Sequence, residues 1–437
     1  MMLQIALLLF GAEFIRGKAH YLWGIGSLWC LMGIFIFIDG LDGNAFFPIH
    51  LFGLLLFLES LVTLSVASSG VGTQKAILFF KGCLFLFCAL VILINQKFSN
   101  VLLSAMFGFA YFFTGLFVVV SAWVVRFPGW QLVMIWGGIE IFFAFFLFTH
   151  HQATISFFLG FLMIGSGLGC LRIALRARYI RRGTAIFELM RPRPMSFKKT
   201  GATATNTTAS TADTLKQKID PNSVLTVHIW TPEGSANQRP VPRPIINRYI
   251  AAVDADGVIS TGHAALELYP YIYISLYPAE DIDRSPSEFF RILKATAANN
   301  VPGRFLPDYQ TEASEWCDSD RRITFEVYNS ASLIAFWEKY RQHPVYNLTY
   351  QNCSSSVAYA LEAALDGVLS IQKRSSFLGV LSVLCMPELW IAAQIRRRAR
   401  MMAWTPGLMM DYARALRAIV HPAPIPWYKR IPWRRTS

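Results

Sequence analysis

Apolar residues are distributed along this chain in two regimes. Up to about residue 175 they run together in blocks separated by short polar loops, and beyond residue 221 they alternate or recur at helical spacing. Six blocks read as crossings of about 30 Å of hydrocarbon at roughly 20 residues each: 21–38, 45–67, 76–94, 100–125, 129–149 and 153–174. The opening "MMLQIALLLFGAEF" has only a short apolar core before Glu13 and no A-x-A-type site leading into a polar chain. It predicts an interfacial helix rather than a cleaved signal peptide.

After Pro221 the pattern is that of a globular domain. "VLTVHIWTP" (224–232) alternates like a strand, and "STGHAALELY" (260–269) puts His263, Ala265 and Glu267 on one face and Ala264, Leu266 and Leu268 on the other. A "YPY" turn leads into "IYISLYP" (272–278), with Ile272, Ile274 and Leu276 on the apolar face and Tyr273, Ser275 and Tyr277 opposite. The two runs predict a hairpin with one apolar and one polar face, His263 on the polar one. Helices are expected over 286–299 and 330–342, with the strand "RITFEVY" between them.

The even-numbered membrane blocks repeat. "FGLLLFLESL" (52–61), "FGFAYFFTGL" (107–116) and "LGFLMIGSGL" (159–168) share a glycine and, six positions on, a polar residue: Gly53 with Glu59, Gly108 with Thr114, Gly160 with Ser166. Offsets of 55 and 52 residues match a two-span unit, so residues 1–178 read as three copies of a transmembrane hairpin. Small residues permit close helix approach, and the polar ones can hydrogen-bond across it. With glycine-bearing odd spans such as "FFKGCLFLF" and "IWGGIEIFF", residues 15–178 resemble the HdeD-like family of bacterial inner-membrane proteins. That resemblance implies a six-span, stress-associated domain without a catalytic site. Glu59, Glu140 and Lys81 are intramembrane ionisable candidates, either for proton sensing or as a packing pair between Lys81 and one carboxylate.

Composition sharpens the division. The 437 residues are 54% hydrophobic and 15% charged, too apolar for a soluble protein throughout. The formal net charge of +13 gathers just after the apolar part and at the C-terminus, which suits anionic headgroups better than nucleic acid. Lys and Arg in the short loops (Arg16, Lys18, Lys75, Arg126 and the cluster from Arg172 to Arg182) place both termini in the cytoplasm. Residues 179–221 pass from a basic juxtamembrane segment to the polar tether "TGATATNTTASTADT". Seven cysteines without a CxxC or other metal-type spacing argue against a disulfide framework or a zinc site, and no cofactor is expected.

The stretch "YNLTYQNCSSSVAYALEAAL" (346–365) carries the candidate chemistry. Asn352 is a good N-cap, Cys353 begins the helix, and Val357, Ala360, Leu361, Ala364 and Leu365 continue one face. A thiol there feels the positive end of the helix dipole, which favours thiolate, and an adjacent imidazole would favour it further. His263 is the natural partner if the helix packs on the hairpin, His228 and His343 are rivals, and the competing reading is a small buried thiol. The backbone N–H of Cys353, with Gln351 or Asn347, could form an oxyanion site, although turn formation is the alternative for both side chains.

The combination "TGHAALEL", "YIYISLYP" and "YNLTYQNCSSSVAYALE" over 222–368 resembles the circularly permuted branch of the papain-like (NlpC-type) thiol enzymes, in which the His strand precedes the Cys helix. The resemblance implies an α+β domain, an antiparallel sheet packed on the Cys-bearing helix, with Cys353 as nucleophile and His263 as general base and later acid. The family's third polar residue falls at Tyr273 or Ser275, neither of the usual type, and Glu267 or a backbone carbonyl could orient His263 instead. Members include peptidases, amidases and lipid acyltransferases, so a peptide or an acyl lipid is the expected substrate.

Residues 369–437 read as an amphipathic, basic tail. The run 377–395, broken by Pro387 and Glu388 and followed by "RRRAR", predicts a re-entrant or interfacial helix rather than a seventh span. "HPAPIPWYKRIPWRRTS" suits a membrane-surface anchor, or a protein partner. The sequence therefore leads to an inner-membrane thiol hydrolase or acyltransferase able to form homo-oligomers through its spans. A noncatalytic stress scaffold and an effector that inserts into a target membrane are the competing classes.

Overall fold

A computed structural model describes residues 2–41, 49–67, 73–94, 96–177, 220, 223–236, 238–249, 251–253, 259–280, 282 and 289–422. The basic segment and tether, expected between 179 and 221, and the final anchor stretch fall almost wholly outside these residues. The described residues form two compact units, one of 15–123 and 130–177, the other of 2–14, 124–129 and 220–422.

The helical unit contains all but the first three residues of α2 (Ala12–Leu41), α3 (Ile49–Ala67), α4 (Thr73–Ile94), all but the last two of α5 (Gln96–Val125), α6 (Trp130–Thr149) and α7 (Thr154–Ala177), with α1 (Met2–Phe10) belonging to the other unit. Six helices stand where six spans were expected, but only four contain stretches long and apolar enough to cross a bilayer among the described residues: Gly17–Leu41, Asn100–Val125, Trp130–Thr149 and His151–Leu175. They mark the chain as a membrane protein. The apolar stretches of α3 and α4, His50–Ser65 and Leu78–Ile94, are shorter. At 1.5 Å per residue they reach roughly 24–26 Å, below the hydrocarbon thickness of about 30 Å, which corrects the six-span expectation.

The glycines explain how three hairpins close on each other. A Cβ at Gly82 would lie 2.6 Å from the Leu64 side chain, one at Gly137 2.9 Å from Val119, and one at Gly26 3.1 Å from Leu171. Leu64, Val119 and Leu171 are separated by the same 55 and 52 residues as the sequence repeat. The even-span glycines behave alike: Gly53 abuts Ile92, Gly108 abuts Phe148, and Gly160 abuts Phe37 and the carbonyl of Gly33. Each even-numbered membrane block thus meets the next odd-numbered one, α3 on α4, α5 on α6 and α7 back on α2, in a cyclic threefold pattern. Of the repeat's polar positions, Glu59 on α3 is bonded to Lys81 on α4, whereas Ser166 bonds within its own helix to the carbonyl of Leu162. Glu140 is buried on α6.

In the second unit β1 (Leu225–Trp230) is followed by α8 (Pro244–Tyr249) and the paired β2 (Ala252–Val253) and β3 (Ile259–Ser260). Next come β4 (His263–Leu268), β5 (Ile272–Ile274), β6 (Leu276–Pro278), α9 (Phe289–Ile292), β7 (Val301–Phe305) and α10 (Tyr309–Glu315). The unit continues through β8 (Arg321–Phe325), α11 (Ser330–Tyr340), β9 (Val345–Tyr346), α12 (Cys353–Ala364) and α13 (Val368–Ile371). It ends with α14 (Phe377–Leu384), α15 (Pro387–Met401) and α16 (Pro406–Val420). An antiparallel sheet runs β5-β4-β1-β8, and a second runs β6-β7-β9. The expected hairpin is present as β4 and β5, with Glu267 opposite Tyr273, but the chain then leaves that sheet at Ser275 and enters the other as β6. In place of one helix over 286–299, the described residues hold the short α9 and a single 3-10 turn at Ala297–Asn299.

Helix α1, and α15 and α16 of the tail, all read as membrane-facing, are instead part of this core, whereas α14 keeps its apolar residues exposed. In α1, Ile5 to Phe10 are buried; Gly367 donates its N–H to the Leu8 carbonyl, and Ser370 donates to that of Phe10. The chains touch where both residues are glycine with positive φ, Gly11 at 91° and Gly367 at 78°, and a Cβ on Gly11 would sit 2.7 Å from Gly367 Cα. The interfacial expectation for this helix fails because its apolar side chains are covered by protein. Likewise the unit does not stop at 368. Leu389, Ile391 and Ala392 of α15 and one face of α16 are buried. Arg396 of α15 forms a two-pronged bond to Glu362 of α12, at 2.6 and 2.9 Å, to which Tyr412 of α16 adds a third at 2.9 Å.

Candidate active site

Local chemistry fixes the start of α12. The Asn352 side chain accepts the Ser355 N–H at 2.9 Å, and the Ser355 hydroxyl accepts the Asn352 N–H at 2.8 Å, a reciprocal box that holds two backbone donors. The Asn352 amide also donates to the Leu348 and Trp404 carbonyls, which fixes the approach to Cys353. Cys353 is the first helical residue and is half-buried.

His263, the first residue of β4, is buried and lies beside that thiol, close enough for each to shift the other's titration. Its Nε2 is held by the Ser275 hydroxyl at 2.8 Å and a Glu312 oxygen at 3.3 Å. The Tyr277 ring stacks on the imidazole at 4.2 Å and 16°. Burial alone would raise the Cys353 pKa, yet it is lowered, because the His263 charge and hydrogen bond, the Ser354 hydroxyl and the Ala264 N–H all favour thiolate. His263 moves the opposite way: burial disfavours its charge, but Cys353 and then Glu312 raise its pKa. Each group thus favours the charged form of the other.

Glu312 joins Ser275, one of the two positions expected for the third residue, on the imidazole. It is 1% exposed on α10 and accepts from the phenols of Tyr273 and Tyr277, the latter at 2.7 Å. Burial and the carboxylate hold both phenols far above their ordinary range, so they remain donors. Tyr273 therefore reaches His263 through Glu312, while Ser275 touches the imidazole directly. No helix was expected at 309–315. Its one local signal is Asp308, whose side chain caps the helix by accepting the Thr311 N–H at 2.7 Å, an interaction that lowers its pKa.

Other candidates are engaged elsewhere. Glu267 pairs with His228 Nε2 at 2.9 Å rather than orienting His263, and His228 Nδ1 meets Ser319 at 3.0 Å. His343 is exposed after α11. The Asn347 amide bonds the Thr296 carbonyl and Asn300, and its oxygen accepts from Thr349 and Tyr350, so this side chain organises a turn. Gln351 is buried and bridges to Asn347 through the backbone. Cys317 offers a built-in contrast: burial and then Asp320, Asp318 and Glu312 push its pKa up. Among the described residues, no group of three or more His, Cys, Asp or Glu side chains is placed to hold a metal ion. No family model matches the chain, and no curated protein or solved structure matches it.

Proposed function

We propose that residues 220–422 are a thiol hydrolase or acyltransferase of permuted papain-like type, carried by an HdeD-like membrane bundle. The observation that carries the reading is the Cys353 thiol at a capped helix start, beside a buried imidazole whose Nε2 is held by Ser275 and Glu312. The Cys353 thiolate attacks an acyl carbonyl, and the oxyanion forms near the Cys353 and Ser354 N–H groups, which lie outside the helix ladder and outside the cap. As the tetrahedral adduct collapses, His263 passes its proton to the departing amine or alkoxide, leaving an acyl thioester on Cys353. His263 then takes a proton from water or an acceptor hydroxyl, which attacks the thioester and releases the thiolate. Hydrolysis and transfer differ only in that last nucleophile. Glu312 and Ser275 stabilise the imidazolium form during both steps.

The substrate class is a peptide, amide or lipid acyl group. The threefold glycine pattern supports the membrane assignment. A cytoplasmic location for both termini is supported by the loop charges and by α1 folding within the same unit as residues 220–422. The test is iodoacetamide labelling of the full chain from pH 5 to 9, read by peptide mass spectrometry for wild type, Cys353→Ala and His263→Ala. Cys353 is expected to label at least tenfold faster than Cys317 at pH 6, with the acid-side reactivity lost in His263→Ala. Equal rates at the two cysteines, indifferent to His263, would leave a noncatalytic scaffold.

A further inference from the structure

One segment of the sheet-bearing unit turns its apolar residues outward. On α14, Phe377 is 81% exposed, Leu378 75% and Leu381 47%, and Ile371 just before it is 58% exposed. The helix is anchored from one side only: Ser376 caps it through the Gly379 N–H, and Val383 is buried. At its foot stand the exposed Lys373 and the half-buried Arg374, the latter bonded to the Ile419 carbonyl. α14 and α15 together have the composition of a bent span, with 57° between them. α15 does not cross, because Leu389, Ile391, Ala392 and Arg396 are buried in the core of the unit. That leaves eight residues of α14, about 12 Å of helix, far short of a crossing of about 30 Å.

We infer that α14 is a finger that dips its Phe377, Leu378 and Leu381 face into the acyl boundary of an anionic bilayer, with Lys373 at the headgroups. Four features select a lipid surface over a protein groove. The exposed side chains are large and aliphatic or aromatic, the helix is too short to span, and a cation sits at its base. The fourth is tethering: the same chain carries four bilayer-length helices, so a bilayer is always within reach of this unit. The inference is independent of Cys353 reactivity, because it concerns where the unit sits and not what the thiol does.

The experiment places a photoreactive benzoylphenylalanine at Phe377 in the full chain. The protein is reconstituted in vesicles of phosphatidylethanolamine and phosphatidylglycerol at 3:1, irradiated, and digested for mass spectrometry. Phospholipid adducts are expected on the peptide containing residue 377 and not on a control probe at Tyr269, which is 68% exposed. A probe at residue 377 that joins only to protein, from a second copy or otherwise, overturns the proposal. A second readout needs no photoprobe: trypsin cleavage after Lys373 and Arg374 in the same vesicles. Phe377→Glu with Leu378→Glu should speed this cleavage about tenfold over wild type, with unchanged cleavage in detergent. Equal rates in vesicles also overturn it.

Discussion

Glu312 and Glu362 in the sheet-bearing unit and Glu59 in the helical unit are held in opposite ways. In the sheet-bearing unit Glu312 gathers two phenols and an imidazole, and Glu362 gathers a guanidinium and a phenol; both are about 1% exposed. In the helical unit Glu59 has one lysine and remains 44% exposed. The helical unit puts its specificity into backbone approach at glycines instead, where shape rather than charge fixes the partner. Networks of charge hold a unique geometry for chemistry, at the risk of a large penalty if one member is lost; glycine contacts hold helices together and carry no chemistry.

That contrast can be broken at its strongest point first. Glu362→Ala strands Arg396 in the core, and chemical denaturation of the sheet-bearing unit should show a loss of about 3–5 kcal/mol. The double variant with Arg396→Met should recover part of it. Next, Gly137→Leu forces a side chain onto Val119 and the Gly115 carbonyl, and detergent melting should register about 1–3 kcal/mol. Gly138, with nothing within 4 Å of a built Cβ, is the matched control and should tolerate leucine.

Glu312→Gln sharpens the side of the contrast that holds the Cys353 and His263 pair. Without that charge the His263 pKa falls and the Cys353 thiolate loses its counter-ion, so its pKa rises. Iodoacetamide labelling of Cys353 should then slow by about tenfold at pH 6 and converge on wild type as pH rises through the thiol range. Smallest of all, Lys81→Gln should cost only about 0.6 kcal/mol in thermal unfolding, the usual worth of one polar contact between membrane helices. A loss as large as that of Glu362→Ala would erase the distinction between the units.

Cys353 and His263 were legible because local rules name them: an Asn cap, a helix start, and two-residue alternation on a strand. Ser275 and Tyr277 were legible as members of that polar face. Glu312 was not, because it arrives from a seven-residue helix distant in sequence, and only tertiary packing brings it to the imidazole. Helices α1, α15 and α16 were misread for a different reason. An apolar stripe has the same periodicity whether it faces acyl chains or a protein core, so the sequence pattern alone cannot separate the two. Arg396 is concealed likewise in the run Arg396, Arg397 and Arg398, which reads as a headgroup-binding patch although its first member is a buried partner of Glu362.

The docking of α1 also has a consequence in time. Phe10 and Ser370, which share a hydrogen bond, are 360 positions apart, so on a ribosome adding about 5–20 residues per second the helix waits on the order of 20–70 s for its partner. Throughout that interval Leu7, Leu8, Leu9 and Phe10 have no core to enter. Their shelter during synthesis must be supplied by something other than the surface they finally occupy, and the unit closes only after its C-terminal helices have emerged.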